Sequence, residues 1–440
     1  MSPRAYIRHN FALAWPLALN ALLVQSMLMI DTLLVASLGE VPIAAMGIAT
    51  TIIAFVLGLE IAIGNGVQLL VGRAFGSGNK AGLTIAYWSG LFISISTALG
   101  CIAILTVSSE SLIAFITDDV DIAQLAEQYI SITKYIVLIT AYTQVCTAFC
   151  NGRGNSKVSL KGFIFELPIN ALLSYFLING FNNNEGLGLE GAAWGSLIAI
   201  SLRAVFFYVV LGTDEKTDLS FPKKTLFLRE IGPQFCEIYP IAANFLLLSV
   251  GSTAYQLLFA QLDLYAFVAI TLIFPWLRAG TQFPNAWAQA SAISISQLLG
   301  HKETGNLKLF SRHSTQVAMF LAVIIAGLFS VLSQYMAFIY PDIEQETQIA
   351  LMIIAPLYII WPIIRAYNTV AGNILRALGK SNLVLKVHFV TQWVIALPVC
   401  ALLVLYFEVS IFWAFALLPI EELLKTIPFY RYKKAFILDL

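Results

Sequence analysis

Ala12-Leu-Ala-Trp-Pro-Leu-Ala-Leu-Asn-Ala-Leu-Leu-Val-Gln-Ser-Met-Leu-Met-Ile-Asp-Thr-Leu-Leu-Val-Ala-Ser-Leu38 is apolar at nearly every position up to Asp31. A helix crosses the hydrocarbon of a bilayer with about 20 such residues, so this stretch reads as a spanning helix. Asp31 then sits about eight residues, or roughly 12 Å, inside its far end. A carboxylate at that depth costs about 2.5 kcal/mol or more unless it is paired, hydrated or protonated. That cost makes Asp31 the leading candidate for a group whose protonation, or pairing with a cation, is coupled to function. The plain alternative is an acid near a helix end that reaches interfacial water.

The rest of the composition agrees with a membrane protein. Of 440 residues, 59% are apolar and only 11% charged, against roughly 25% charged in soluble domains. Mean hydropathy is +0.82. The long uncharged runs exclude an outer-membrane barrel, whose strands are short and alternating. Net charge is zero, so nucleic-acid binding has no electrostatic support. The five cysteines, Cys101, Cys146, Cys150, Cys236 and Cys400, lie in or beside apolar runs. Their odd number and placement argue against a disulfide framework. Cys146 and Cys150 stand one turn apart, which suits a soft-metal pair or, more simply, two small packing residues. The first apolar run is too long for a cleavable signal and lacks a small-residue cleavage site.

Twelve spans can be drawn, at roughly 11–38, 42–70, 82–107, 123–149, 158–180, 187–211, 231–259, 264–297, 307–333, 346–375, 383–407 and 410–430. The longest polar stretch, Gly212–Arg229, follows span six and reads as a linker (212–229) between an N-lobe (1–211) and a C-lobe (230–440). All but four of the 25 Lys and Arg residues fall at the termini or beside the loops after even-numbered spans, among them Arg4, Arg73, Lys80, Arg153, Lys223, Lys302, Lys380 and Lys433. Loops after odd-numbered spans hold acids instead, including Glu40, Asp118, Glu185, Asp263, Asp342 and Glu408. The positive-inside rule therefore places both termini in the cytoplasm and Asp31 toward the outer side.

The two halves repeat. Trp15-Pro-Leu-Ala-Leu-Asn20 recurs as Tyr239-Pro-Ile-Ala-Ala-Asn244, an offset of 224. Ala141-Tyr-Thr-Gln-Val145 and Gly154-Asn-Ser156 recur as Ala366-Tyr-Asn-Thr-Val370 and Gly379-Lys-Ser381, an offset of 225. Six spans per repeat is an even number, so the repeats are parallel. Such halves commonly rock around a shared cavity. Pro16 and Pro240, each lacking an amide hydrogen, are matched candidate hinges.

Other polar groups interrupt the spans. Asn20, Met27 and Asp31 share one helical face, because eleven residues make nearly three turns. Glu60 lies mid-span in the second helix. Glu166 precedes Pro168, Asn170 and Ser174 in the fifth. Arg203 is expected to snorkel to the cytoplasmic interface, and Lys134 to reach water or an acid. Arg278 and Arg365, flanked by Trp and Pro in long apolar runs, are expected to face the cavity, to pair with Asp31 or Glu60, or to bind an anionic group. Glu237 reads as an interfacial acid. No phosphate loop, metal-ligand cluster or nucleotide-binding segment is visible, and the four histidines, His9, His301, His313 and His388, map toward the cytoplasmic face far apart. An ion gradient is then the remaining energy source, and no cofactor is expected.

At this point the residues resemble a known family. Pro16 with Asp31 fifteen residues later, Gly72-Arg-Ala-Phe-Gly76 after span two, Asn151-Gly-Arg-Gly-Asn-Ser156 after span four and Gly191-Ala-Ala-Trp-Gly-Ser196 in span six are similar to patterns of the multidrug and toxic compound extrusion (MATE) transporters. The overall pattern is nearest the DinF-like branch. The resemblance implies an all-α polytopic protein of two six-helix bundles that exports amphipathic, mainly cationic organic compounds in exchange for H⁺ or Na⁺. It makes Asp31 the coupling carboxylate, with Asn170, Ser174 and Ser196 as its neighbours. Asn20, Met27, Glu60, Arg278 and Arg365 are then cavity residues. The chain departs from the family in two places. Ser174 stands where one branch has a second carboxylate, and Leu248 and Arg365 stand where another branch has acids. The second departure weakens any second-half cation site, and the single first-half acid favours H⁺ over Na⁺, which usually wants several oxygen ligands. Asn170, Ser174, Ser196 and Thr32 keep Na⁺ open as the alternative. The expected setting is the plasma (inner) membrane, and a two-lobed monomer suffices. The rival within the superfamily is a flippase for a lipid-linked precursor, for which Arg278 and Arg365 would suit a pyrophosphate. An embedded enzyme or a passive channel has less support, since no catalytic constellation is visible.

Overall fold

The long apolar runs form helices, because a backbone in hydrocarbon must satisfy its own hydrogen bonds. A computed structural model describes residues 3–180, 186–214, 219–302, 304–341 and 343–438. Side chains are described for all of these except Pro3, Arg4, Thr304, Ala337 and Leu438. The side chain of Arg4, the acids Glu185 and Asp342, and Glu215, Lys216 and Asp218 of the expected linker lie outside the described set.

Twelve helical segments follow in order: α1 Pro3–Ala36, α2 Glu40–Gly76, α3 Lys80–Ile116, α4 Val120–Gly152, α5 Ser156–Asn179, α6 Leu189–Gly212, α7 Lys224–Phe259, α8 Leu264–Gly300, α9 Leu307–Ile339, α10 Gln345–Ala377, α11 Ser381–Tyr406 and α12 Ile411–Leu438. Eleven of them are long and apolar enough to cross a membrane. The twelfth, α12, carries Glu421, Glu422 and Lys425 near its middle. α8 is interrupted around Thr281, and α11 contains two π-helical stretches, Phe389–Ala396 and Leu402–Tyr406.

The sequence repeat has a geometric counterpart in two turns. After α4, Gly154 adopts φ +85°, its amide donates to Asn151, and the Asn155 amide donates to the Cys150 carbonyl at 2.9 Å. After α10, Gly379 adopts φ +73°, its amide donates to Arg376, and the Lys380 amide donates to the Leu375 carbonyl at 2.9 Å. Both are Schellman-type ends, in which glycine takes the left-handed position that a Cβ would strain.

The chain forms two compact units. Their boundaries differ from the linker expected at 212–229. One unit is Leu19–Ala242; the other joins the residues up to Ala18 to Ala243–Leu440. The chain therefore changes unit inside α1 and again inside α7, in each case two residues after a proline, Pro16 and Pro240. The physical reason is packing. Within the second unit, the start of α1 is tied by Tyr6 to Ser314 at 2.8 Å and by Asn10 to Ser291 and Ser294 at 3.1 and 3.0 Å. Within the first unit, the start of α7 is tied by Glu237 to Arg73 and by Ile238, which packs beside Val67, Val71, Phe149 and Phe207.

Each unit has its own apolar core. In the first, Val35, Met46, Ala49, Tyr129 and Ile130 form one cluster, and Cys146 and Cys150 are buried in another as free thiols. In the second, Tyr255, Phe259, Ile273, Tyr358 and Phe415 are central. Such burial contributes about 1.5–3 kcal/mol for each large side chain taken from water. Between helices already in lipid, close packing of small residues takes over that role.

Candidate functional site

In the first unit α1, α5 and α6 meet at Asp31. Its side chain is only 6% exposed. The Ser174 hydroxyl of α5 donates to one carboxylate oxygen at 3.4 Å, and the Ser196 hydroxyl of α6 donates to the other at 3.3 Å. Asn170, one turn before Ser174, donates its amide to Ser196 Oγ at 2.9 Å. The four residues grouped from sequence thus converge on one polar point inside an apolar helix bundle. Gly195 makes the approach of α5 and α6 possible, since a Cβ there would lie 2.8 Å from the Ser174 backbone nitrogen. Among the described residues no Lys, Arg or His lies within ion-pair distance of Asp31.

Farther along α1, Asn20 donates to Ser159 of α5 at 3.1 Å. Asn20 and Asp31 therefore both reach α5, while Met27 between them is half-buried. Glu60 differs from expectation. It does not open onto a cavity: it is fully buried on α2, with Ser94 of α3 donating to it. Burial with a hydroxyl partner costs less than exposure to hydrocarbon.

Arg203 also differs. It does not snorkel: its side chain is 4% exposed, pairs with Glu166 at 2.6 Å, donates to Thr143 at 3.0 Å and lies 4.1 Å from the Phe163 ring centroid. Glu166, one of the span-five acids, supplies the countercharge that makes burial affordable in free energy. Lys134 is half-buried and donates to Thr106 at 3.2 Å, with no acid in ion-pair range among the described residues.

In the second unit, Arg278 of α8 and Arg365 of α10 line a cavity of about 390 Å³. The carboxylates on the same walls are Glu421 and Glu422 of α12, which hydropathy and motif alone do not single out. Lys425 lies 2.5 Å from Glu421 and 3.2 Å from Glu422. Tyr255 donates to Glu421 at 2.6 Å, and Asn368 donates to Glu422 at 2.8 Å. His388 also lines the cavity, with Nδ1 2.6 Å from Asn244 Oδ1. The legible signal was three charges within five positions of an otherwise apolar run, at the i, i+3 and i, i+4 spacing that puts them on one helical face.

The MatE family model matches residues 16–176 and again 240–402, the same offset of 224 as the repeat. The chain belongs to the MatE family. Its members are transporters, not enzymes. The chain is 22% identical to "Multidrug and toxin extrusion protein 2" of Pongo abelii over 417 residues, covering 89% of this chain and 69% of that one. It is 21% identical to "Probable multidrug resistance protein NorM" of Agrobacterium fabrum, covering 83% and 80% respectively. A crystal structure of MATE in the bent conformation superimposes with a TM-score of 0.89 at 15% identity, covering 100% of this chain and 96% of that one. For this MatE protein the all-helical, multi-pass membrane fold follows. Asp31, Asn170 and Ser174 lie inside the first matched half, Ser196 lies beyond its end at residue 176, and most of the residues lining the Arg-rich cavity lie inside the second. Glu421, Glu422 and Lys425 fall beyond residue 402, where the family match ends.

Proposed function

We propose that this MatE protein is a secondary active multidrug efflux antiporter. It exports amphipathic, mainly cationic organic compounds from the cytoplasm across the plasma (inner) membrane, in exchange for protons. Asp31 is the coupling carboxylate. The observation that carries the reading is its burial with hydroxyl partners and, among the described residues, no countercharge in ion-pair range. Such a carboxylate is held at a cost that either a proton or a bound organic cation removes. Occupation by one then disfavours the other, which is the linkage an antiporter requires.

In the outward-open state Asp31 takes a proton. Its charge disappears, the bound cation loosens and leaves outward, and α1 bends at Pro16. In the inward-open state the proton is released and the next cation enters. Pro240 is the matching hinge in α7. Both termini are cytoplasmic and a monomer is the working unit. A flippase for a lipid-linked precursor is not favoured, since the relatives reported above carry names for multidrug resistance and extrusion.

One observation supports Na⁺ as a second coupling ion. The side-chain oxygen of Asn170 is buried without a hydrogen-bond partner among the described residues. Together with Asp31, Ser174 and Ser196 it would offer several oxygens to a hard cation.

Inside-out vesicles containing the purified protein and a fluorescent cationic dye test both readings. Dye accumulation driven by a pH gradient and lost in Asp31→Asn is expected. Accumulation driven by Na⁺ alone transfers coupling to that ion. Gradient-independent dye movement, or an Asp31→Asn protein as active as wild type, would overturn the antiporter mechanism.

A further inference from the structure

The cavity in the second unit holds four cationic side chains, Arg278, Arg365, Arg376 and Lys425, against two carboxylates, Glu421 and Glu422. The two carboxylates are already engaged, by Lys425, Tyr255 and Asn368. Among the described residues Arg278 and Arg376 have no carboxylate within ion-pair distance, and Arg365 has none either, its guanidinium lying 4.8 Å from the Trp361 ring centroid. The cavity therefore carries a net charge of plus two from its own walls. Guanidinium groups inside a helical bundle face a partner or a water-filled space, because isolated burial is costly. Their planar forks match carboxylate and phosphate oxygens. Tyr255, Phe274 and Trp361 supply aromatic walls. A volume of about 390 Å³ is at the small end of ligand pockets, which run about 300–1,000 Å³.

We propose that this cavity is a binding site for the anionic group, carboxylate or phosphate, of a small organic ligand, with Arg278 and Arg365 as its charged contacts. It lies wholly within the second unit and does not depend on the role of Asp31. A transporter with this site accepts organic acids or zwitterions as well as cations. Lys425 adds to this balance: it engages Glu421 and Glu422, and without it the net charge of the walls falls from plus two to plus one.

The test is binding to the purified full-length protein at low salt, by equilibrium dialysis with labelled benzoate. Inorganic phosphate, short-chain phosphatidic acid and benzylamine serve as competitors. Saturable benzoate binding, weakened about tenfold or more in Arg278→Gln and in Arg365→Gln, is expected from loss of one charge-assisted contact. Arg365→Lys should retain more of it than Arg365→Gln, and Asp31→Asn should leave it unchanged. Displacement by phosphate alone identifies a free anion as the natural occupant; displacement by phosphatidic acid at far lower concentration identifies a lipid headgroup. Absence of saturable benzoate, phosphate and phosphatidic acid binding in a protein whose thermal unfolding is normal overturns the proposal. So does benzoate binding that is indifferent to both arginines, or equal competition by benzylamine.

Discussion

Gly195 of α6 lies directly against the backbone of Ser174 on α5, so closely that any Cβ at position 195 would fall 2.8 Å from the Ser174 nitrogen and 2.9 Å from its Cα. This close approach is what lets hydroxyls from two helices reach the same carboxylate, Asp31.

Gly195→Ala should therefore part α5 from α6. The clash is with backbone, which no rotamer change relieves, and overpacking of this kind costs about 1–3 kcal/mol. A lower thermal midpoint and weaker gradient-driven transport are expected. Gly47→Ala is the control, because nothing lies within 4 Å of a Cβ there. It should leave stability unchanged or raise it by about 0.5–1 kcal/mol through helix propensity. Equal destabilisation by both substitutions would contradict the packing argument.

Ser174 and Ser196 hold opposite oxygens of Asp31. Removing one hydroxyl takes away a hydrogen bond to a charged group, worth about 1.5–3 kcal/mol to the ionised form. Ser174→Ala and Ser196→Ala should each shift the pH dependence of dye transport toward higher pH, because the protonated carboxyl loses less than the carboxylate. Vesicle transport measured across pH checks this; a shift toward lower pH would reject the assignment.

Arg203 and Glu166 form an ion pair with both side chains almost fully buried. Glu166→Leu or Arg203→Met alone leaves an uncompensated charge, and a loss of about 3–5 kcal/mol is expected. The double substitution Glu166→Leu with Arg203→Met should cost much less than the sum of the single changes. Thermal unfolding of the four proteins gives the coupling directly. Additive losses would show that the pair does not act as a unit.

Lys425 has 4% of its side chain exposed and stands between two glutamates. Lys425→Met leaves both acids without their cation, and a loss of about 3 kcal/mol or more follows. Adding Glu421→Gln should restore part of the stability, although Tyr255 still bonds at that position. If Glu421→Gln deepens the loss, the lysine is not there to balance charge.

Thiol accessibility offers a separate check of the fold. Cys236 is exposed, whereas Cys146, Cys150 and Cys400 are buried. A membrane-permeant maleimide should label Cys236 rapidly and the three buried thiols only after unfolding, since reaction requires access of the thiolate. Rapid labelling of Cys146 in the folded protein would contradict the packing of α4.

Much of this protein was legible in its residues alone. The apolar runs fix helices because lipid offers the backbone no partner. The recurrence of Trp15-Pro and Tyr239-Pro at an offset of 224 marks the two halves. Asp31 stood out because a carboxylate is costly at its depth. Asn170, Ser174 and Ser196 came from resemblance, and the fold brings them to Asp31 through two serine hydroxyls.

Tertiary structure decided the rest. Sequence order places all of α1 in the first half, yet side chains such as Tyr6 and Asn10 find their partners on α8 and α9, so the compact units divide within α1 and α7. Arg203 reads as a snorkelling residue until Glu166 appears across the bundle. Glu421, Glu422 and Lys425 are three charges near the middle of the last helix, and only the fold places them on one cavity wall with Arg278, Arg365 and Arg376. The common reason is that hydropathy is a property of one segment, whereas the cost of a buried charge depends on its partners. Those partners lie 37 residues away for Arg203 and Glu166 and 166 residues away for Tyr255 and Glu421, distances in sequence that only folding brings to hydrogen-bond range.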